Sequence, residues 1–166
     1  MKPVDDIYRD KYDFSILVLQ GGGALGAYQA GVFEGLVEAG SKAARLFVTG
    51  RVLSARCEPV PNALLDFWHA DEDGEYDNRG FRYRGHQFTD AQGRYRLSTI
   101  VPAEYPGRTR HIHVKVQAPR KRILTTQLYF PGDAGNRADG LWQRDLEMQL
   151  TKGVAVEGTF DFVVEA

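Results

Sequence analysis

From residue 44 onward, short apolar runs alternate with turn signals, and this alternation limits the chain to a few fold classes. Six runs are rich in Val, Leu, Ile, Thr and aromatic residues: LFVTGRVLSA, NALLDFWHA, GRYRLSTIV, HIHVKVQA, ILTTQLYF and GTFDFVVEA. Between them lie clusters such as TDAQG, PAEYPG and PGDAGN, which favour turns. Many short strands joined by turns predict an all-β domain over residues 44–166, an antiparallel β-sandwich or a related open barrel. Only residues 141–149 have a short helical pattern.

Residues 1–43 have a different pattern. SILVLQ is a short β-rich run, GGGALG is a flexible glycine turn, and AYQAGVFEGLVEAG predicts a helix that ends at Gly40. One face of this predicted helix carries Tyr28, Val32, Phe33, Leu36 and Val37. A strand, a glycine loop and a helix form one arm of an α/β unit, and an isolated arm cannot bury both faces of its strand. We therefore predict a short N-terminal appendage over residues 1–43.

The charge and the cysteine content exclude several classes of protein. The 166 residues include 21 Lys and Arg against 22 Asp and Glu, and the net charge of -1 argues against a nucleic-acid partner. One cysteine, Cys57, cannot support a disulfide framework or a cysteine-based zinc site. Residues 1–13 lack the layout of a signal peptide, and the apolar run at 15–19 is too short to span a bilayer. We expect a cytoplasmic protein without a membrane partner.

Two histidines at alternate positions form the first part of a candidate site. His111 and His113 lie in a predicted strand, where alternate side chains share a face, so both imidazoles point the same way. Neighbouring imidazoles can bind zinc, copper, iron or nickel. The alternative is a surface or hydrogen-bonded pair without a metal. A third imidazole, from His69 or His86, would make zinc a candidate.

Two tyrosines close to turn signals extend the candidate site. Tyr76 follows the acidic turn DEDGE, and Tyr105 lies in PAEYPG, shortly before the histidines. A deprotonated phenolate is a hard, electron-rich oxygen donor, so it suits trivalent iron better than zinc. Two phenolates and two neutral imidazoles would neutralise most of the ferric charge. Each tyrosine could instead be a packing aromatic residue with its hydroxyl in solvent.

Three ordered blocks of the sequence resemble the intradiol ring-cleavage dioxygenases, the family of catechol, hydroxyquinol and protocatechuate dioxygenases. The blocks are GRVLSARCEPVPNALLDFWHADEDGEYDN, FRYRGHQFTDAQGRYRLSTIVPAEYPGRTRHIHVKV and ILTTQLYFPGD. They contain the two tyrosines and the His-x-His pair in the order that the family has. The resemblance implies an antiparallel β-sandwich of the intradiol dioxygenase type, which follows the short appendage.

The resemblance also implies a ferric iron site. The implied Fe(3+) ligands are Tyr76, Tyr105, His111 and His113. Tyr105 would be the axial tyrosinate that leaves the iron when substrate binds, Arg108 would stabilise negative charge on the bound ring, and Gln127 would lie near the site. The connection from Tyr105 to His111 is shorter than in catechol dioxygenases, which implies a shallower and more open pocket. His69 stands where the family often has glutamine.

The activity that the resemblance implies is the oxidation of a small aromatic diol by O2. Iron would act as a Lewis acid and a template, the ring would open between its two hydroxyl-bearing carbons, and the product would be a muconate-type diacid. No organic cofactor would be needed. The alternative is a β-sandwich binding module that kept the fold but lost the activity. Exposed strand edges or the predicted helix would offer contacts for a homo-oligomer.

The appendage resembles the opening of the patatin-like phospholipases. The stretch is LVLQGGGALGAYQAGVFEGLVEAG, whose glycine run supplies oxyanion-hole N–H groups in that family. The nucleophile motif G-x-S-x-G does not occur in the sequence, so we predict no lipase activity. Gly21, Gly23 and Gly26 satisfy a dinucleotide-type glycine pattern, but no βαβ unit follows them. We expect a fused fragment, with a dimerisation or docking element as the alternative.

Overall fold

The computed structural model describes residues 33–34 and 43–166, and these residues form ten strands and two 3-10 turns. The strands are β1 (Phe33–Glu34), β2 (Arg45–Ser54), β3 (Leu64–Trp68), β4 (Arg84–Phe88), β5 (Arg94–Ile100), β6 (His111–Gln117), β7 (Leu124–Tyr129), β8 (Gln149–Lys152), β9 (Val156–Thr159) and β10 (Phe162–Val164). The 3-10 turns are Asn136–Ala138 and Arg144–Leu146. The prediction of an all-β domain is confirmed.

The first sheet is built around β2. Its strand order is β1-β5-β2-β9-β8, and β10 also pairs with β2. Strand β5 runs antiparallel to β2, and β8 runs antiparallel to β9. Strand β1 runs parallel to β5, and β9 and β10 run parallel to β2, so this sheet is mixed rather than purely antiparallel.

A break at Phe160 and Asp161 separates β9 from β10. The Phe160 N–H donates to the Thr49 carbonyl (3.0 Å), and the Asp161 carboxylate accepts a hydrogen bond from the Arg51 N–H (2.7 Å) in place of a backbone carbonyl. A Cβ atom at Gly50 would collide with the Phe160 carbonyl oxygen, so the close approach of the two backbones requires glycine. The last two strands therefore form one interrupted edge along β2.

The second sheet has the strand order β4-β3-β6-β7, and all of its neighbours are antiparallel. Strand β6 shows how it packs: Ile112, Val114 and Val116 are fully buried, and His111 and His113 alternate with them on the opposite face. The core between the two sheets includes Leu46, Val48, Leu65, Phe67, Leu97, Leu128 and Phe162. The second sheet buries one face against the first sheet. The other face of β6 is therefore available for a site.

The structure describes two residues of the predicted N-terminal helix, and the prediction is wrong at both. Phe33–Glu34 form β1, which pairs in parallel with Leu97 and Ser98 of β5. Backbone hydrogen bonding to an open sheet edge therefore replaces helical hydrogen bonding at this point. The rest of the predicted strand, glycine loop and helix lies outside the described residues.

The short helix predicted for residues 141–149 is also wrong. The segment contains only the 3-10 turn Arg144–Leu146 and then enters β8 at Gln149. Met148 is buried, and its N–H donates to the carbonyl of Tyr129 (3.0 Å) at the end of β7. Docking along β7 therefore extends the chain there, against its local helical preference.

Among the described residues, no helix is long and apolar enough to cross a membrane.

Candidate metal centre

The candidate site lies on the outer face of the second sheet, where β6 begins. His111 and His113 project from β6 on the side opposite to its core residues. The loop between β3 and β4 brings Tyr76 to the histidines, and the loop between β5 and β6 brings Tyr105 beside Tyr76. The four residues predicted as ligands therefore converge on one end of the sheet.

Three of the four predicted donor atoms are in mutual contact. The Tyr76 hydroxyl lies 3.0 Å from His113 Nε2 and 3.3 Å from His111 Nε2, and the two Nε2 atoms are 3.1 Å apart. Donors that share one metal through bonds of about 2.0–2.1 Å lie roughly 3 Å from each other, so this triangle has the size of a metal's ligand set. Two imidazoles and a phenol oxygen are also donors that suit an iron ion.

The backbone fixes the tautomer of His111. Its Nδ1–H donates to the Thr109 carbonyl (2.7 Å), so the lone pair of Nε2 faces the other donors. Burial lowers the pKa of His111, and burial, His111 and Arg108 together lower the pKa of His113 to about 4. Both imidazoles are therefore neutral at pH 7, which is the form that binds a metal.

A hydrogen-bonded turn and a close backbone contact position Tyr76. The Asp71 carboxylate accepts hydrogen bonds from the N–H groups of Asp73 and Glu75, at 3.0 and 2.9 Å. At Gly74 the backbone has φ +83° and lies so close to the Glu104 carbonyl that a side chain would collide with it. The acidic turn is therefore folded around Asp71 and packed against the loop that carries Tyr105.

The two tyrosines differ in their surroundings. Burial raises the pKa of Tyr76, and the positive charge of Arg108 partly opposes this increase. The Tyr105 ring lies edge-on to that of Tyr76, with ring centroids 5.4 Å apart, and 43% of Tyr105 is exposed. A tight turn follows, in which the Arg108 N–H donates to the Tyr105 carbonyl (2.8 Å). Tyr105 therefore forms the solvent-facing side of the cluster.

Arg108 is locked in place by three side chains. Its Nε–H donates to the Asp139 carboxylate (2.7 Å), and one NH2 group donates to Gln127 Oε1 (2.6 Å) and to the Tyr129 hydroxyl (3.0 Å). The Tyr129 hydroxyl in turn donates to Gln127 Oε1 (2.8 Å). The structure thus joins the two predicted residues Arg108 and Gln127, and it adds Asp139 and Tyr129, for which the sequence held no periodic or motif signal.

The carboxylate that holds Arg108 is charged. The Asp139 side chain is fully buried, and burial by itself would raise its pKa. Hydrogen bonds from Arg108 and from the Leu141 N–H (2.9 Å) outweigh this effect and hold the pKa of Asp139 below its ordinary value. The Arg108–Asp139 pair therefore persists as an ion pair near neutral pH.

The structure does not bring a third imidazole to the donor triangle. Both ring nitrogens of His69 are hydrogen-bonded, Nδ1 with the Ala70 carbonyl and Nε2 with the Thr99 hydroxyl, each at 2.6 Å. His86 lies on β4 opposite Asp66, away from the end of the sheet that holds the triangle. No group of three or more His, Cys, Asp or Glu side chains in the described part of the chain could hold a metal. A metal at the candidate site would therefore need tyrosine ligands in addition to the two histidines.

Comparisons with known proteins define the class to which this fold and site belong. The protein-family profile described as Dioxygenase matches residues 32–152, which is most of the chain. The protocatechuate 3,4-dioxygenase beta chain of Burkholderia cepacia is 37% identical over 117 residues, with 60% of this chain and 50% of that protein covered. The hydroxyquinol 1,2-dioxygenase of Corynebacterium glutamicum is 31% identical over 121 residues, with 60% and 40% covered. The chain belongs to the intradiol ring-cleavage dioxygenase family.

A solved structure is similar over most of its length. It is the dioxygenase domain of a dioxygenase carbohydrate-binding protein fusion from the cellulolytic bacterium Streptomyces sp. SirexAA-E, with 52% identity, a TM-score of 0.75, and coverage of 78% of this chain and 85% of that one. By contrast, the chain spans half or less of the length of the two curated relatives. The family match begins at residue 32, within the segment that the sequence assigns to the appendage.

Proposed function

We propose that the protein is a non-haem iron(III) dioxygenase that cleaves the ring of a catechol-type substrate between its two hydroxyl-bearing carbons, with O2 as the oxidant. The observation that carries this proposal is the contact among the Tyr76 hydroxyl and the Nε2 atoms of His111 and His113. These three residues and Tyr105 would hold the iron. Bound ferric iron would supply Lewis-acid chemistry that makes the ring of the diol reactive towards O2.

The two tyrosines would have different roles when a diol binds, and Tyr105 would take up one of the protons that the diol loses. Tyr76 is half-buried and touches both imidazoles, so it is the more permanent donor. Tyr105 is the more exposed and contacts the cluster through its ring, so it can move away and accept a proton through its oxygen. The different roles of the two tyrosines in this proposal follow from their different burial.

Arg108 would stabilise the negative charge of a bound diolate. Its Nε and one NH2 group are used by Asp139, Gln127 and Tyr129, and Nη1 makes no hydrogen bond to any other described residue. A planar guanidinium held on one edge presents its other edge in a fixed direction. The residues around Arg108 thus preorganise a positive charge beside the donor cluster, because no reorientation is needed when substrate arrives.

The relatives define the substrates to test. They are named for protocatechuate, hydroxyquinol and catechol, and the Streptomyces domain comes from a fusion with a carbohydrate-binding protein in a cellulolytic bacterium. We propose a small aromatic diol as the substrate class. Catechol, protocatechuate and hydroxyquinol form the first panel, to which diols released from plant material are added.

The first experiment is a visible absorption spectrum of the iron-loaded protein, before and after anaerobic addition of catechol. A ferric phenolate band that shifts on addition of the diol is the expected result, together with about one iron per chain. Admission of labelled O2 is then expected to place both oxygen atoms in a diacid product. A protein that stays colourless after loading with ferric iron would overturn the proposal in favour of an inactive binding module, and stoichiometric zinc would identify a different metal.

A further inference from the structure

Four side chains form a row across the outer face of the second sheet. The strand register pairs Arg84 with Trp68, Trp68 with His113, and His113 with Gln127. Directly opposed residues in antiparallel strands project from the same face and interact as cross-strand pairs. Trp68 is therefore the direct neighbour of His113 on β3, and no sequence motif assigns it a role.

The indole of Trp68 stacks on the imidazole of His113. The ring centroids are 4.9 Å apart, and the two planes differ by 6°. In this orientation Nε2 of His113 lies 3.1 Å from Nε2 of His111 and 3.0 Å from the Tyr76 hydroxyl. Rotation of the imidazole out of the stacked plane would carry Nε2 away from these two atoms. The stacking contact is therefore coupled to the position of the donor atom.

The two histidines are oriented in different ways. The Nδ1–H of His111 donates to the Thr109 carbonyl, which fixes both its ring plane and its tautomer. His113 has no corresponding hydrogen bond at Nδ1 to another described residue. The flat contact with Trp68 is the interaction that aligns the plane of the His113 ring.

Charged side chains hold the indole itself. The Arg84 guanidinium carbon lies 5.5 Å from the centre of the Trp68 ring system, and Lys115 Nζ lies 5.8 Å from it. Both distances are within the range of cation–π interaction. Arg84 also donates to the Asp66 carboxylate (2.9 Å), whose side chain is 6% exposed. Trp68 is thus fixed through Arg84 to a buried anion, which limits its movement away from His113.

We infer that Trp68 is a positioning residue that holds the imidazole of His113 in its ligand orientation, as the Thr109 carbonyl does for His111. The orientation can be tested without iron, whereas its effect on iron binding rests on the proposed function. Trp68 acts through His113 and makes no contact with the substrate in this proposal. Its loss is expected to reduce metal affinity about 10- to 100-fold, the range found when a group that orients a metal ligand is removed.

The first experiment uses the metal-free full chain and NMR spectra of its four histidine side chains. Ring current from a stacked indole shifts the His113 ring protons upfield, and a H113A spectrum assigns these signals. In W68L we expect the upfield shift to disappear, while W68F restores part of it because a phenyl ring can also stack. Unchanged His113 signals in a folded W68L protein would overturn the inference.

The second experiment measures ferric iron affinity and the phenolate absorption band of the same variants. We expect W68L to bind iron about 10- to 100-fold more weakly, W68F to remain within about threefold of the parent, and W142F to match the parent. Trp142 is the matched control because it is also half-buried but contacts Glu147 rather than a donor residue. An iron affinity of W68L equal to that of W142F would contradict a positioning role.

A third measurement leaves Trp68 in place. It therefore tests the stacking of Trp68 on His113 even where W68L fails to fold. The chain has two tryptophans, and Trp68 is therefore the sole indole fluorophore in W142F. Ferric iron bound next to His113 is expected to quench this emission at one equivalent, and R84M is expected to weaken the quenching. Trp68 fluorescence that does not change when iron binds would overturn the stacked arrangement. Failure of the parent protein to bind iron would instead refute the proposed function, and the NMR comparison would still decide the orientation.

Discussion

The histidines of the candidate site are carried by a strand, whereas its tyrosines are carried by loops. His111 and His113 are fixed by the pairing of β6 with β3 and β7, and their spacing cannot change without a shift in register. Tyr76 and Tyr105 depend on turns that are held by the Asp71 carboxylate and by the Tyr105 carbonyl. In the proposed function, the strand-borne half would therefore retain the metal while the loop-borne half exchanges a ligand for substrate. Substitutions in the two halves test this division.

Removal of a strand-borne donor is expected to have the largest effect. In H113A we expect bound iron to fall to background and turnover to drop more than about 100-fold, because a ligand contributes at least as much as the groups that orient it. Metal analysis and ring-cleavage assays provide the measurement. H86A is the control, since His86 lies on β4, which β3 separates from β6, and pairs with Asp66. Full activity of H113A would refute the site assignment.

The two loop-borne tyrosines should respond differently to loss of the hydroxyl. Y76F removes an oxygen that touches both imidazoles, so we expect most of the iron to be lost. Y105F removes the hydroxyl of the more exposed tyrosine, so we expect iron to be retained and turnover to fall about 100-fold through loss of a base. Iron content and kcat of both variants would be compared. Equal iron loss in the two variants would mean that the loop tyrosines are equivalent.

Removal of the charge on Asp139, which anchors Arg108, should have a smaller effect. D139N keeps the shape of the side chain but removes the charge that holds the guanidinium, and charged hydrogen bonds of this kind contribute about 1.5–3 kcal/mol. We therefore expect kcat/KM to fall roughly 10- to 100-fold, mainly through kcat, with iron content unchanged. The exposed Asp145 supplies the control variant D145N. A normal kcat in D139N would show that Arg108 does not need its buried partner.

The smallest effect on turnover is expected at His69, which supports the sheet behind the site. Burial lowers the pKa of His69 to about 4, so the unfolded chain binds a proton more readily between pH 6.5 and 4. The stability that neutral His69 provides is present above pH 6.5 and is lost as the pH falls towards 4, with a maximum of about 3 kcal/mol. Urea unfolding of the metal-free protein would measure this slope. H69Q should reduce it, and an unchanged slope would assign the effect to other groups.

The sequence predicted several strands in which apolar residues alternate with polar ones or form short runs. In HIHVKVQ the apolar residues alternate with polar ones, and the structure buries Ile112, Val114 and Val116 while the histidines face outward. The predicted strands in NALLDFWHA, GRYRLSTIV and ILTTQLYF are present as β3, β5 and β7. Strand β4, in the polar segment RGHQF, was not predicted because its pattern depends on pairing with β3 rather than on its own composition.

The candidate site was predictable only where a motif or a resemblance marked it. The structure places Tyr76 against His111 and His113, and Arg108 against Gln127, while the roles that the resemblance implies for them stay predictions. No sequence signal marks the buried anchor Asp139, because its contact with Arg108 spans 31 residues and depends on the folding of an irregular loop. The helix expected in residues 141–149 failed for the same reason, since tertiary docking outweighed local preference.

The break between β9 and β10 has a consequence for how the protein is made. One edge of β2 is completed by a segment more than 100 residues later in the chain, as the Arg51–Asp161 hydrogen bond shows. During synthesis that edge stays unsatisfied until residues 156–164 have emerged, and contacts of such long range form slowly. Nascent or C-terminally shortened chains would therefore expose an open strand edge to self-association, and chaperone dependence would be greatest at the end of translation.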